Sequence, residues 1–345
     1  MYKPGDLRVE DVEKPEMMDD EAMVKVRAVG LCGSDIPRAL VYGAHVSPIT
    51  IGHEFSGEIE AVGKNVKNFK PGDRVVIPPL IPCGKCEWCQ KGIYSLCEDY
   101  DYYGSRRDGA LAEYVSVKES NLLKVPEGVS YEDAATLDPC ANAYHGLMRG
   151  NFKEGDSVCV CGTGPIGLFA AQYAKLCGAS QVIAVDVWDE KLDIAKKVGA
   201  DVVINSLNED PVEAVKKATD GKGANLVIDF SGVPAAQKQC ILMASKMGRV
   251  VFLGISHKGL DLSEKEVDTI MRSQLSVIGS WNSFTKPYPG EDWTESLKMF
   301  GERGMTAKDI ISHRLPLDDC PGIFDKIKEG GFFYNKVMFY PWGQE

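Results

Sequence analysis

Six short apolar runs, Ser157–Cys161, Gln181–Val185, Val202–Ile204, Leu226–Asp229, Arg249–Leu253 and Leu275–Ile278, alternate with amphipathic segments of helix length. Runs that are apolar at consecutive positions suit strands covered on both faces, and their alternation with helices specifies βα steps. Residues 152–282 are therefore read as an α/β unit built on a doubly wound parallel sheet. Between the first run and its helix lies Gly162-Thr163-Gly164-Pro165-Ile166-Gly167, a G-x-G-x-x-G turn, and the second strand closes on Asp186, 19 residues after Gly167. Glycines there permit a tight bend, the helix N-terminus receives a pyrophosphate, and the acid accepts ribose hydroxyls. A carboxylate at that point repels a 2′-phosphate and no Arg follows immediately, so NAD(H) is expected rather than NADP(H).

The flanking sequence has another texture. Ala22–Ala28, Gly57–Val62, Asp73–Ile77 and Leu111–Val117 are short β-rich runs bounded by turns such as Lys70-Pro71-Gly72-Asp73. Beyond Ser283 the pattern is mixed, with helices expected at Trp293–Phe300 and Cys320–Lys328 and a last strand at Lys336–Phe339. A length of 345 residues suits two domains. With 39 basic against 50 acidic residues the net charge is -11, a field that repels phosphate backbones and anionic headgroups, so neither nucleic acid nor a membrane surface is expected as a partner. The most apolar stretch, Val158–Cys177, carries four Gly or Pro residues and Lys175, which fits strand-turn-helix better than a membrane span. Met1–Asp20 is crowded with charge and lacks the apolar core of a signal peptide, so a cytoplasmic location is expected.

Eleven cysteines without a secretory signal point to metal sites and buried thiols rather than disulfides. Cys83, Cys86, Cys89 and Cys97 form C-x2-C-x2-C-x7-C, a spacing that closes four thiolates around one Zn²⁺ and leaves no position for water. Such a closed site makes residues 80–100 a structural zinc lobe. Cys32 follows a strand-like run, and 21 residues later comes His53 at the edge of another, a thiolate and an imidazole that suit a second zinc.

The stretch Gly52-His53-Glu54-Phe55-Ser56-Gly57, with Gly63 and Val66 after it, resembles the signature of the medium-chain, zinc-dependent alcohol dehydrogenases. Cys32-Gly33-Ser34-Asp35 before it and the four-cysteine lobe after it extend the resemblance along nearly the whole chain. The resemblance implies a GroES-like, β-rich catalytic domain from residues 1–151 and 283–345, enclosing the Rossmann domain, with the active site in the cleft. It implies one structural and one catalytic zinc per chain, the latter held by Cys32, His53 and Asp138 with an open fourth position. Cys140 and Glu54 are the neighbours that compete for or orient that metal. Ser34 takes the part of a hydroxyl relay, while the position of the usual relay histidine is Pro37. Gly162, Gly164, Pro165, Ile166, Gly167, Asp186 and Lys191 match cofactor-contacting positions, and family members form homodimers or homotetramers.

Within the family the resemblance leans toward members that act on a sugar-alcohol phosphate. It rests on Gly30–Arg38, Tyr42–His45, Gly104–Gly109, Ile278–Trp281 and Pro289–Trp293. Arg38 stands where sorbitol-oxidising members place a substrate-contacting tyrosine, and Arg106 and Arg107 stand in a loop of the substrate cleft. A planar guanidinium fork suits a phosphate dianion. Tyr103 and Trp281 are expected to line the same cleft. The implied activity is zinc- and NAD-dependent oxidation of a secondary hydroxyl on a sugar-alcohol phosphate. The alternatives are a free polyol such as sorbitol or xylitol, L-threonine, or, in another class, a zinc-stabilised NAD sensor without turnover.

Overall fold

The computed structural model describes residues 1–343. Its strands in chain order are β1 (Glu21–Gly30), β2 (Glu54–Val62), β3 (Arg74–Val76), β4 (Leu80–Ile81), β5 (Asp101–Tyr102), β6 (Tyr114–Lys118), β7 (Leu123–Lys124), β8 (Ser157–Cys161), β9 (Gln181–Asp186), β10 (Val202–Asn205), β11 (Ala224–Asp229), β12 (Ala244–Phe252), β13 (Ser276–Gly279), β14 (Ile311–Pro316) and β15 (Lys336–Tyr340). The chain forms two compact units, Met1–Asp138 with Phe284–Glu345, and Pro139–Ser283.

In the discontinuous unit the strand order is β14-β15-β1-β2-β3-β7, with β6 also pairing β1. The alternating strands β1 and β2 pair antiparallel from Ala22↔Val62 to Gly30↔Glu54, which sets Glu54 opposite a glycine. Their inward residues Val24, Val26, Phe55 and Ile59 pack with Val75, Val115, Val117 and Phe339 in one core. The run expected at Leu111–Val117 begins only at Tyr114, because the amides of Ala110 and Leu111 bond to the carbonyls of Gly52 and Ile51 instead of joining a ladder. Strand β14 carries little signal in the sequence: Ile-Ser-His-Arg-Leu-Pro lacks a clean apolar alternation, and it is a strand because β15 offers it a parallel edge.

The contiguous unit is a six-stranded sheet in the order β10-β9-β8-β11-β12-β13, every pair parallel. This is the doubly wound order, whose direction reverses between β8 and β11. The inner strands are buried on both faces, which is why they read as unbroken apolar runs. The first boundary between units falls at Asp138, inside the helix Leu137–Arg149, and not after residue 151. Glycines let the body of this helix lie on the parallel sheet: a Cβ at Gly150 would come within 2.5 Å of Leu226 Cδ1, and one at Gly146 within 3.0 Å of Leu253 Cδ1. Among the described residues no helix is long and apolar enough to cross a membrane.

Candidate active site

The four cysteines of the lobe converge. Cys83 Sγ and Cys89 Sγ lie 3.9 Å apart and Cys86 Sγ and Cys97 Sγ 4.0 Å apart, and all four ligand atoms fall within 4.8 Å of one another. A tetrahedron with Zn–S bonds of about 2.3 Å has edges of about 3.8 Å, so the donor set fits zinc and no disulfide is present among the described residues. Backbone amides aimed at the sulfurs, Cys83 N to Cys97 Sγ at 3.3 Å and Cys86 N to Cys83 Sγ at 3.4 Å, support thiolate charge.

A second group is built where β1 ends and β2 begins. The chain leaves β1 held by Leu31 N on the Val337 carbonyl (2.8 Å) and turns into a one-turn helix, Asp35–Pro37. Buried Asp35 organises the corner: one oxygen accepts from Cys32 N (3.2 Å), and the other lies 3.4 Å from His53 Nδ1 and accepts from Arg38 Nη1 at 2.6 Å. With Nδ1 facing Asp35, Nε2 is left for a metal, the usual arrangement of a histidine ligand backed by a carboxylate. Ser34 donates to Cys32 Sγ from its hydroxyl (3.3 Å) and its amide (3.5 Å). Burial opposes charge on His53, but the negative charges of Asp35 and Cys32 outweigh it and hold the imidazole well above its ordinary range. The field that favours a proton there equally favours a metal cation.

The group whose ligand atoms lie within 4.8 Å is Cys32, His53 and Glu54. This differs from the expected set, in which Asp138 was the third ligand and Glu54 its neighbour. Glu54 is drawn in because it follows His53 directly and forms a buried ion pair with Lys336, whose Nζ also donates to the Leu31 carbonyl at 3.0 Å. Gly30 makes room for that pair, since a Cβ there would stand 2.7 Å from Glu54 Oε2. Asp138 is buried beside the group: burial, with the charges of Glu54 and Asp35 adding and those of His53 and Lys336 opposing, pushes its carboxyl up to about 7. Cys140 is buried in the helix Leu137–Arg149 and belongs to neither metal-ligand group.

Tyr102, which the sequence did not single out among its tyrosine neighbours, packs its ring edge-on against His53 at 5.6 Å. Burial, then the charges of Asp138, Cys32 and Glu54, keeps its phenol well above the usual range. Tyr103, expected at the cleft, is instead core: it is 1% exposed and its hydroxyl accepts from Lys118 N at 3.0 Å.

The three arginines have different fates. Arg38 is held on Asp35. Arg107 is tied down, its Nε 2.8 Å from Asp101 Oδ2, its Nη1 3.9 Å from Glu21 and its guanidinium over the Tyr103 ring, so it fastens the loop. Arg106 stacks 4.5 Å over Tyr100, its Nε is buried without a hydrogen-bond partner, and no carboxylate pairs with it among the described residues. Tyr100 in turn meets Tyr102 edge-on at 6.1 Å, which links Arg106 to the corner that holds His53. Trp281, after β13 in the other unit, is 49% exposed.

In the glycine-rich turn, Gly162 has φ +96°, and a Cβ at Gly167 would lie 2.0 Å from the Gly162 carbonyl oxygen, so neither position admits a side chain. Gly164 caps the helix Pro165–Leu176, with Pro165 and Ile166 in its first turn, and nothing lies within 4 Å of where its Cβ would be, so the backbone is open to a phosphate. Asp186 is already engaged: Oδ2 accepts from Thr163 N (2.6 Å) and Oγ1 (2.8 Å), and Oδ1 from Val187 N (2.7 Å) and Trp188 N (3.2 Å). A ribose diol binds this carboxylate only by replacing some of those donors, a constraint that spacing does not reveal. Lys191 is half-buried on the helix Asp189–Lys197.

Residues 18–127 match the alcohol dehydrogenase GroES-like domain, and residues 165–302 match the zinc-binding dehydrogenase family. Galactitol 1-phosphate 5-dehydrogenase of Escherichia coli K12 is 38% identical over 311 residues, 90% of this chain and 90% of that protein. Sorbitol dehydrogenase of Halalkalibacterium halodurans is 34% identical over 343 residues, 98% of this chain and 96% of that one. The crystal structure of galactitol-1-phosphate dehydrogenase from Escherichia coli superposes with a TM-score of 0.93 at 36% identity, covering 99% of this chain and 98% of that one. Both units are thus accounted for by one lineage, and the chain belongs to the zinc-dependent, medium-chain alcohol dehydrogenases, oxidoreductases for which zinc and NAD(H) are the expected cofactors.

Proposed function

We propose that this enzyme oxidises a secondary hydroxyl of a sugar-alcohol phosphate with NAD⁺, and reduces the corresponding ketone in reverse. The observation that carries the reading is Arg106, a guanidinium without a carboxylate partner in a chain of net charge -11, linked through Tyr100 and Tyr102 to the His53 corner. An unanswered cation beside an alcohol-binding metal group suits an anionic substituent on the alcohol. The similarity to galactitol 1-phosphate 5-dehydrogenase points the same way.

Zinc, when bound, supplies Lewis-acid polarisation of the substrate hydroxyl, and NAD⁺ takes the hydride. We assign the metal to Cys32, His53 and Asp138. Lys336 already pairs with Glu54, whereas Asp138 is buried beside this corner with its carboxyl pushed up to about 7, first by burial, and a divalent cation there would favour its charged form. Asp35 keeps the His53 ring oriented. Ser34, whose hydroxyl rests on the Cys32 sulfur, receives the proton released by the substrate, and with Pro37 at the next relay position that proton leaves through water. Cys83, Cys86, Cys89 and Cys97 hold the structural zinc. Thr163 and Asp186 close the glycine-rich turn that would hold NAD(H), and an acid there would disfavour a 2′-phosphate. Eleven thiols without a disulfide suit a reducing cytoplasm.

The test is NADH formation from galactitol 1-phosphate, D-arabitol phosphate, free galactitol, sorbitol and L-threonine, before and after zinc chelation. Chelator-sensitive turnover that strongly prefers a phosphorylated polyol is the expected result. Equal or better turnover of the free polyols or threonine keeps the zinc chemistry and rejects the phosphate, and cofactor binding without any turnover makes the chain a sensor.

A further inference from the structure

We infer that His45 is a direct ligand of the substrate phosphate, completing with Arg106 and Arg38 an anion site made by two loops of the catalytic unit. The inference rests on the phosphorylated substrate proposed above and adds a residue and a geometry to it. The first loop is the single π-helical turn Arg38–Tyr42, ended by Gly43 at φ +82°, after which the chain turns back toward residue 105. The second is the loop after β5 that carries Ser105 and Arg106. The two are joined at His45, whose backbone N–H donates to the Ser105 carbonyl at 3.3 Å. That bond holds the backbone of His45, whose imidazole is exposed, against the residue that precedes Arg106, and the charge of Arg106 reaches the ring.

The charge balance of this corner calls for an anion. Arg38 and Arg106 are permanently charged, and the carboxylate paired with either of them is Asp35, which answers Arg38 through Nη1 alone of its N–H-bearing nitrogens. Partial burial, then the charges of Arg106 and Arg38, holds the His45 imidazole below its usual range, which favours its neutral form while no anion is bound. A phosphate dianion reverses that balance, because it meets both guanidiniums and draws a proton onto His45, which then donates a charge-assisted hydrogen bond. Arg107 takes no part, since Asp101 and the Tyr103 ring hold it.

The experiment compares kcat/KM for galactitol 1-phosphate with that for free galactitol in wild type, His45→Ala and His45→Gln, with zinc content measured for each. Phosphates that bind without turnover are compared through their inhibition constants. We expect His45→Ala to lower the preference for the phosphorylated polyol about tenfold, mostly through KM, and His45→Gln to regain part of it because an amide still donates. A wild type without preference for the phosphorylated polyol overturns this inference together with the reading beneath it. A wild type that prefers the phosphate and a His45→Ala protein that keeps the same preference overturn the role of His45 alone.

Discussion

A methyl group at position 30 is enough to disturb the buried charge pair behind the metal ligands. Its carbon would sit 2.7 Å from Glu54 Oε2 and 3.2 Å from Lys336 Cδ, and both side chains are about 2% exposed or less, so neither has room to retreat. Gly30→Ala is expected to cost about 1–3 kcal/mol of stability by overpacking. Because Glu54 moves with His53, zinc content and kcat/KM should fall with it; thermal denaturation and metal analysis read both, and a fully metallated, unshifted variant would show that the pair is not needed. The adjacent arginines give a sharper contrast. Arg107→Ala removes two ion-pair contacts and a ring contact and should lower the melting temperature without altering the preference for a phosphorylated substrate. Loss of that preference would move the anion site onto Arg107. Sequence shows two like residues side by side and is silent on which has a partner. It is equally silent on Lys336, which lies 282 positions from Glu54. The Arg38–Asp35 contact was readable in principle, as an i,i+3 pair in a helical turn.

At the scale of elements, legibility follows burial. Strands β8, β9 and β11 declare themselves because both faces are covered, and the four cysteines because a tetrahedral metal fixes their spacing. Strand β14 is invisible for the opposite reason, being polar and defined by its neighbour. Strand β13 falls between: its apolar run reads as an inner strand, yet it is the edge of the sheet, with Val277 42% exposed. An apolar edge with one side of its ladder unpaired is a place for another strand to add. The homo-oligomer that the family resemblance implies is expected to pair through this edge. Val277→Lys sets like charges on either side of such a junction and should shift the mass seen by light scattering to that of a monomer at micromolar concentration, with the fold kept. An unchanged mass would place the interface elsewhere.

For the molecule as a whole, the decisive fact is that one unit is continuous in sequence and the other is not. Residues 139–283 carry all six strands of their own sheet. The first 138 residues do not, because β15 lies between β14 and β1 and supplies Val337, Met338 and Phe339, none of them exposed to solvent. The same C-terminal segment brings Lys336 to Glu54, and Arg314 to Glu132 through two bonds of 2.9 and 2.8 Å, with the Tyr340 hydroxyl donating to that carboxylate as well. Local pattern identified the strand at Lys336–Phe339 but not its partner, since pairing across some 300 residues leaves no periodic trace. Burying three large apolar side chains is worth about 5–9 kcal/mol at about 1.5–3 kcal/mol each, comparable to the whole stability of a typical domain at about 5–15 kcal/mol. A fragment of residues 139–283 should therefore fold and melt cooperatively, while a fragment of residues 1–138 should lack dispersed amide resonances even with zinc present. Adding residues 284–343 in trans should restore them. If residues 1–138 gave a native-like spectrum unaided, β15 would be a late addition to a sheet already stable, and the discontinuity of the unit would carry no energetic weight.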